Sequence, residues 1–187
     1  MAFVMPRRGW PFVACAVAAL AIATSAGGEE SLDLAVKATY LYKLAPFVDW
    51  PAASFPTPDS PFELCVVGND PFGAVLDRAV AGQRINGHPI VIDRLPRAQH
   101  NSNCDMAFVA GSRGQPVGDA LRELAGAPVL TVTDGPTQGI VDFVTDEGRV
   151  RFRIDDQAAA DSGLSISSKL LRLAMAVVPR RGGGGAQ

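Results

Sequence analysis

The sequence predicts one three-layer α/β domain with a mostly parallel central sheet, helices on both faces and an antiparallel hairpin at the sheet edge. Apolar runs of strand length alternate with amphipathic helical segments through the first two thirds of the chain, which is typical of a parallel sheet. Two later runs, 140–144 and 149–154, flank Asp146-Glu147-Gly148 and predict the hairpin. Residues 27–187 are numerous enough for a single domain with its own core.

The first 26 residues have the layout of a secretory signal peptide. Arg7-Arg8 is a basic region, Pro11–Ile22 carries no charge, and Thr24-Ser25-Ala26 offers small residues for cleavage. The uncharged stretch is shorter than the roughly 20 residues of a membrane-spanning helix. A twin-arginine signal and a lipoprotein acceptor at Cys15 are alternatives that fit less well, because that cysteine precedes any completed apolar segment. We therefore expect residues 1–26 to be removed and the remaining chain to be exported without an anchor.

The charge balance argues against two classes of partner. The whole chain has a net charge of −2, and the chain without residues 1–26 keeps 15 basic residues against 19 acidic ones. Nucleic acids and anionic membrane surfaces both reward dense clusters of Lys and Arg. We expect neither nucleic-acid binding nor direct membrane insertion.

The first element after the signal is a helix predicted over Ser31–Val48. Asp49-Trp50-Pro51 is expected to end it, since proline cannot continue a helix. The apolar stripe of this helix consists of Leu34, Ala38, Leu41, Ala45 and Val48, widened by Tyr40, Leu44 and Phe47.

The middle of the chain alternates strands and helices. A strand over 62–67 leads to a helix that reaches Val80, with Asp70 as its cap and Pro71 at its first position. Ile85 and residues 89–94 flank Asn86-Gly87, a turn-forming dipeptide, and predict a short strand pair. A strand over 104–109, a helix over 116–125 and a strand over 129–133 follow.

The last third begins with the hairpin and continues with two helices. Asp155 is expected to cap a short alanine-rich helix that stops at Gly163. A final helix over 167–177 is expected to turn Leu170, Leu171, Ala174 and Val177 inward. Residues 179–187 have no apolar content apart from one alanine and predict a disordered tail.

Two cysteines remain after loss of the signal. Cys65 and Cys104 each lie in an apolar run, and an even count in an exported chain favours a disulfide between two neighbouring strands. Two free buried thiols are the alternative. A catalytic cysteine served by His100 is a third interpretation, which nothing else in the sequence supports.

Catalytic and metal-binding patterns are absent from the sequence. His88 and His100 are the only histidines and belong to no spaced ligand cluster, and no G-x-S-x-G elbow is present. The sequence therefore predicts no enzyme, no cofactor and no metal. A weaker hypothesis places a small polar ligand at the loops beyond the strand ends, where open parallel sheets bind ligands. Its candidate residues are Asn69, Asp70, Ser112, Arg113 and Asp134.

Several stretches, taken together and in order, resemble the YfiR-like family of exported bacterial proteins. The resemblance spans about Val36–Val177, and its most specific parts are the first and last of the matching stretches. These are Lys37–Tyr42 with Phe47–Pro51, Cys65–Gly68 with Asp70–Gly73, Gly148–Ile154, and Gly163–Ala174.

The resemblance implies a periplasmic regulator. In the best-understood branch, the protein binds the periplasmic sensor domain of an inner-membrane diguanylate cyclase and holds it inactive, which limits cyclic di-GMP and biofilm formation. The family pattern also implies the Cys65–Cys104 disulfide, whereas a second pair found in some members has no counterpart here. The alternative function is a periplasmic small-ligand sensor or carrier, and a homodimer is left open.

Aromatic residues of the first helix are candidates for partner contact. Tyr40, Phe47 and Trp50 lie on or near the apolar stripe, so the core is the competing location for them. Aromatic side chains are nonetheless frequent anchors of protein interfaces.

Overall fold

The computed structural model describes Met1, residues 26–135 and residues 138–181. The predicted signal peptide, except for Met1 and Ala26, and the predicted tail from residue 182 onward lie outside the described residues, so both remain predictions. Within the described part of the chain, no helix combines the length and the apolarity that crossing a membrane requires.

The first helix, α1 (Ala26–Leu44), ends earlier than the sequence predicts. A single 3-10 turn (Ala45–Phe47) and a short strand, β1 (Val48–Asp49), follow it. Pro46, not Pro51, ends the helix, because its ring removes a backbone donor and clashes with the preceding turn. The predicted stripe is buried at Ala38, Leu41, Ala45 and Val48, whereas Phe47 is exposed.

The remaining elements are β2 (Phe62–Gly68), α2 (Ala74–Val80), β3 (Arg84–Ile85), β4 (His88–Leu95), β5 (Met106–Gly111), α3 (Val117–Leu124), β6 (Leu130–Asp134), β7 (Val141–Asp146), β8 (Arg149–Asp155), α4 (Asp156–Asp161), β9 (Ser165–Ile166), α5 (Ser168–Leu173) and β10 (Ala176–Val178). They follow the predicted order up to α5, apart from the short strand β9, which the sequence did not predict, and the final strand β10 was not predicted either.

Eight strands form one mixed sheet in the order β10-β8-β7-β6-β5-β2-β4-β3. The five strands from β7 to β4 are parallel to one another, while β8 is antiparallel to β7 and β3 is antiparallel to β4. A separate two-stranded antiparallel sheet joins β1 to β9. The predicted α/β class with a mostly parallel sheet is confirmed, and the predicted hairpin is β7–β8, with β10 added outside it.

Both faces of the sheet are covered by helices, as predicted. Leu64 and Val66 of β2 belong to the core cluster that also contains Ala38 and Leu41 of α1. The alternate residues Cys65 and Val67 belong to a second cluster beneath α3, with Ala120 and Leu124. The period-two alternation of a strand therefore divides the interior into two cores.

The start of α2 differs from the prediction. The helix begins at Ala74, because Gly73 has a φ of 47° and interrupts helical geometry just before it. Asp70 does not cap this helix. Its Oδ1 accepts hydrogen bonds from the backbone N–H groups of Phe72 (2.7 Å) and Gly73 (3.2 Å), which closes a turn ahead of the helix.

Two other predicted helix starts are confirmed. Asp155 Oδ1 accepts a hydrogen bond from Ala158 N at 2.8 Å at the start of α4. Ser167 Oγ accepts one from Leu170 N at 3.4 Å at the start of α5. Each side chain satisfies a backbone donor that the first turn of a helix leaves unpaired.

The last predicted helix is wrong in its second half. It ends at Leu173, and Ala176–Val178 instead pair in parallel with Arg153–Asp155 as strand β10. The pairing begins where Met175 N donates to Phe152 O at 2.9 Å. An unpaired strand edge offers hydrogen bonds that a helix could not use, and the two valines favour extended backbone. Val177, predicted to face inward, is exposed as a result.

The residues that follow β10 contact α4. Arg180 Nε lies 3.0 Å from Asp156 Oδ2, and its Nη2 lies 3.1 Å from Oδ1. Arg181 N donates to Gln157 Oε1 at 2.6 Å. These contacts hold the first part of the predicted tail against the domain.

The Cys65–Cys104 disulfide predicted for the exported chain is present, with the two Cα atoms 5.8 Å apart. Cys65 lies within β2, and Cys104 lies two residues before β5, the neighbouring strand. Because both sulfur atoms are bonded, the alternatives of two free thiols and of a catalytic cysteine beside His100 are wrong for this structure.

We expect replacement of both cysteines, Cys65→Ser with Cys104→Ser, to lower the free energy of unfolding by about 4 kcal/mol, since the bond closes a loop across 39 residues. Urea unfolding of the exported protein measures this. Wild-type protein in reductant is the matched control and should resemble the variant. Equal stability of oxidised and reduced wild type would contradict the expectation.

Gly68 is a second position at which substitution should lower the stability of the protein. It has a φ of 92°, and a Cβ added there would overlap the backbone carbonyl of Gly111 on the neighbouring strand. Gly68→Ala should therefore destabilise the protein by about 3 kcal/mol. Gly126→Ala is the control, because Gly126 has a similar φ of 76° with open space around it, and should lose only about 1 kcal/mol. Similar losses in the two variants would show that the close approach does not matter.

Candidate partner and ligand surfaces

A groove of about 860 Å³ lies between α1 and the β7–β8 hairpin. Leu32, on its α1 side, is 66% exposed and adds to the apolar surface of the groove. The groove combines apolar and charged side chains and is open to solvent. Its lining residues are Leu32, Asp33, Val36, Tyr40, Thr145, Gly148, Arg149, Val150 and Arg151.

Tyr40, one of the three predicted partner-contact residues, lines this groove. Its ring is half-buried, 6.1 Å from the ring of Phe143 and 6.0 Å from that of Phe152, centre to centre. Tyr40 therefore packs against the core and also contributes to the groove surface. Tyr40 can therefore belong to the core and still be available for contact with a partner.

Trp50 lies at a second, smaller cavity of about 160 Å³, shared with Asp49, Phe55 and His88. Its ring packs edge-on against Phe62, with the ring centres 5.3 Å apart. Its Nε1 donates a hydrogen bond to the backbone oxygen of Asp105 at 3.0 Å. The half-buried indole thus ties the loop after β1 to the start of β5.

Phe47 is 36% exposed and lines neither of these two cavities. Its backbone oxygen accepts a hydrogen bond from Ser167 N at 2.9 Å, next to the β1–β9 pair. Phe47, Tyr40 and Trp50 therefore do not form one continuous aromatic surface around a single cavity.

The predicted strand-end residues are mostly engaged within the protein. Asp70 pairs with Arg94 Nε at 2.7 Å, and Asp134 pairs with Lys37 Nζ at 2.7 Å. Ser112 Oγ accepts a hydrogen bond from Gln115 N at 3.2 Å. Two carboxylates of the hypothetical ligand site are thus already neutralised by protein cations.

Asn69 and Arg113 complete the predicted strand-end set. Asn69 N donates to the backbone oxygen of Gly111 at 2.8 Å, which joins the ends of β2 and β5, and Arg113 is exposed. None of the five residues lines the groove or the smaller cavity. A ligand at these loops remains a hypothesis.

Lys37 is a buried cation that the sequence pattern does not reveal. Its Nζ lies 2.6 Å from Asp33 Oδ2 and 2.7 Å from Asp134 Oδ2, and the residue is only 5% exposed. Burial lowers the pKa of its ammonium group, but the hydrogen bonds to Asp134 and Asp33 outweigh burial, so the pKa is raised. Lys37 stays charged and fastens α1 to the end of β6.

Asp105 is a buried carboxylate that sequence reasoning missed, although an acid beside an apolar run was a visible signal. It is 8% exposed, and its Oδ2 accepts a hydrogen bond from Glu63 N at 2.8 Å. Burial raises the pKa of Asp105 to about 6, against the lowering effect of the Glu63 hydrogen bond. The negative charge of Glu63 raises this pKa further, and His88 lowers it.

The raised pKa of Asp105 predicts a pH-dependent stability. The folded state binds this proton more tightly than the unfolded chain, in which the ordinary pKa is 3.8. The free energy of unfolding should therefore fall as pH rises from about 4 to about 6. Asp105→Asn keeps an oxygen to accept from Glu63 N but carries no charge. It should be more stable than wild type by about 2 kcal/mol at a pH near 7.5, and no more stable at a pH near 4.

Urea unfolding at the two pH values measures this difference. Asp119→Asn is a suitable control, because Asp119 is an exposed acid on α3. A difference between Asp105→Asn and wild type that is the same at both pH values would contradict a raised pKa at this carboxyl.

Comparison with known proteins assigns the chain to a protein family. The family model described as YfiR/HmsC-like matches residues 34–175, from the first half of α1 to the residue before β10. This match confirms the resemblance seen over about residues 36–177. No curated protein is similar enough to the chain to count as a match. The chain belongs to the YfiR/HmsC-like family.

Proposed function

We propose that this protein is an exported periplasmic repressor that binds the periplasmic sensor domain of an inner-membrane diguanylate cyclase and so lowers cyclic di-GMP. Membership of the YfiR/HmsC-like family supports a periplasmic regulator that acts through contact with a sensor protein. The signal-like residues 1–26 support export, and the disulfide suits an oxidising compartment.

The groove between α1 and the β7–β8 hairpin is the observation that best supports a binding role. Its exposed Leu32 and half-buried Val36 and Tyr40 present apolar surface that the domain leaves uncovered within the described residues. Exposed apolar surface rimmed by polar residues is typical of protein-interaction sites. The buried acids and the buried lysine are occupied by internal contacts, which favours binding over catalysis as the role of this domain.

Deletion of the gene tests this proposal. We expect cyclic di-GMP and surface attachment to rise, because the cyclase is released from repression. The full chain supplied in trans should restore the low level, whereas a chain without residues 2–26 should not, since it could not reach the periplasm. Cyclic di-GMP in cell extracts is the measurement. Unchanged cyclic di-GMP in the deletion strain, with the partner cyclase expressed, would contradict the proposal.

A periplasmic small-ligand sensor is the second candidate, because the groove volume of about 860 Å³ falls in the range of small-molecule sites. A ligand that binds only the folded state must raise its stability. Thermal unfolding of the exported chain with a panel of periplasmic metabolites measures this. A rise in Tm that Tyr40→Ala abolishes would support the sensor, and a flat response would count against it.

A further inference from the structure

The outer edge of β8 is only partly paired. This strand has seven residues and is paired along its inner side with β7 from Arg149 to Ile154. On its outer side β10 pairs only with Arg153, Ile154 and Asp155. Within the described residues, the first half of β8 therefore has no strand on its outer side.

In this free half of β8, the backbone N–H and C=O groups of Val150 point away from β7. Phe152 directs its carbonyl outward, since it accepts the hydrogen bond from Met175 N. Backbone groups of a strand alternate in direction, so Val150, two residues earlier, presents its N–H and C=O on the same outer side. The neighbouring residues Arg149 and Arg151 direct theirs toward β7. Val150 thus offers one donor and one acceptor to an added strand.

The groove provides the space for such a strand. Gly148 to Arg151 form one wall of it, and Leu32, Val36 and Tyr40 of α1 form the other. A strand added to a sheet lies about 4.8 Å from its neighbour. It would continue the line of β10 along the same edge of β8, with α1 covering one of its faces.

Side chains at this edge indicate the chemistry of the occupant. Val150 belongs to the core cluster on the α1 side of the sheet, with Phe152 and Ile154. Arg149 and Arg151 alternate with them and are exposed, and neither makes an ion pair with any described residue. An added strand would therefore meet apolar surface on one face, and beside the other two exposed guanidinium groups that form no ion pair with a described residue, although Asp146 is the cross-strand neighbour of Arg149.

We propose that the free edge of β8 at Arg149–Arg151 is a docking site for an extended segment of the partner protein, which joins the sheet as an additional strand. The segment alternates apolar side chains, which contact Leu32, Val36 and Tyr40, with acidic side chains, which lie beside Arg149 and Arg151. Main-chain hydrogen bonds give such a strand its affinity, and the alternating side chains give it specificity. This inference rests on the proposed function only for the identity of the partner.

A designed peptide tests the site without any cyclase. The probe is an end-capped peptide of about nine residues that alternates valine and glutamate. We expect it to slow amide hydrogen exchange at Val150 by about tenfold or more, as measured by NMR on the full exported chain, while Arg151 N–H, already directed toward β7, changes little. A matched peptide that alternates valine and lysine should have no such effect. Protection of Val150 by both peptides would overturn the assigned charge pattern.

Two other occupants are distinguishable in the same experiment. A helix seated in the groove would shift the signals of Leu32 and Tyr40 without protecting the Val150 amide. If a second copy of this chain occupied the edge, raising the protein concentration without peptide would protect the Val150 amide. The sedimentation coefficient of the protein would rise over the same concentration range. Either result would overturn the proposal of an added partner strand.

Variants in the deletion strain connect the site to regulation. Leu32→Asp should fail to restore low cyclic di-GMP, because it places a charge on the apolar wall. Val91→Asp is the control, since Val91 is also exposed, at 43%, and lies on β4, far from β8 in the strand order. Arg151→Glu should also fail, whereas Arg122→Glu on α3 should restore repression. Urea unfolding confirms that each variant is folded.

The outcomes separate the two proposals. If deletion raises cyclic di-GMP but Leu32→Asp and Arg151→Glu still restore repression, the β8 edge is not the docking site and the repressor function stands. If deletion leaves cyclic di-GMP unchanged while the valine–glutamate peptide protects Val150, the strand site stands and the cyclase partner is wrong.

Discussion

The pairing of β2 with β5 is the contact on which the rest of this structure depends. It lies near the centre of the eight-stranded sheet, and its alternating side chains supply both cores. Three independent restraints hold it: the Cys65–Cys104 disulfide, the hydrogen bonds between Glu63 and Asp105, and the close approach of Gly68 to Gly111. Trp50 binds the backbone of Asp105, so the loop after β1 is positioned by the same strand pair. A buried carboxylate at this junction makes the stability of the central sheet sensitive to pH.

The groove lies toward one edge of the sheet, at β8, away from the central β2–β5 pair. β8 is held by β7 along one side and only partly by β10 along the other, and α1 leaves Leu32 exposed above it. Sheet edges present hydrogen-bonding groups that most proteins cover or blunt with charge. Here the groove beside β8 keeps one such edge accessible within the described residues, between apolar residues of α1 and two arginines. A surface of this kind suits the proposed role, in which the protein acts through contact with a sensor protein.

Most elements could be predicted from local patterns, and the errors have specific physical causes. The strands around Cys65 and Met106 and the turn at Asn86-Gly87 follow from apolar runs and turn chemistry, which act over a few residues. The apolar stripe predicts that α1 continues to Val48, but Pro46 within the stripe ends the helix at Leu44. The end of α5 was misplaced because Val177 suits a helix face and a strand edge equally well, and only the vacant edge of β8 decides between them.

The sequence by itself determined the α/β class and the family and favoured the Cys65–Cys104 disulfide, since alternating patterns, motif order and an even cysteine count are properties of the chain alone. Only the tertiary structure decided which polar side chains are free to act. Asp70 and Asp134 look like ligand-site residues in sequence, yet Arg94 and Lys37, distant along the chain, neutralise them. The groove likewise joins residues near position 36 to residues near position 150. A surface made from two segments so far apart exists only after folding, because strand order and helix placement, not local pattern, bring them together.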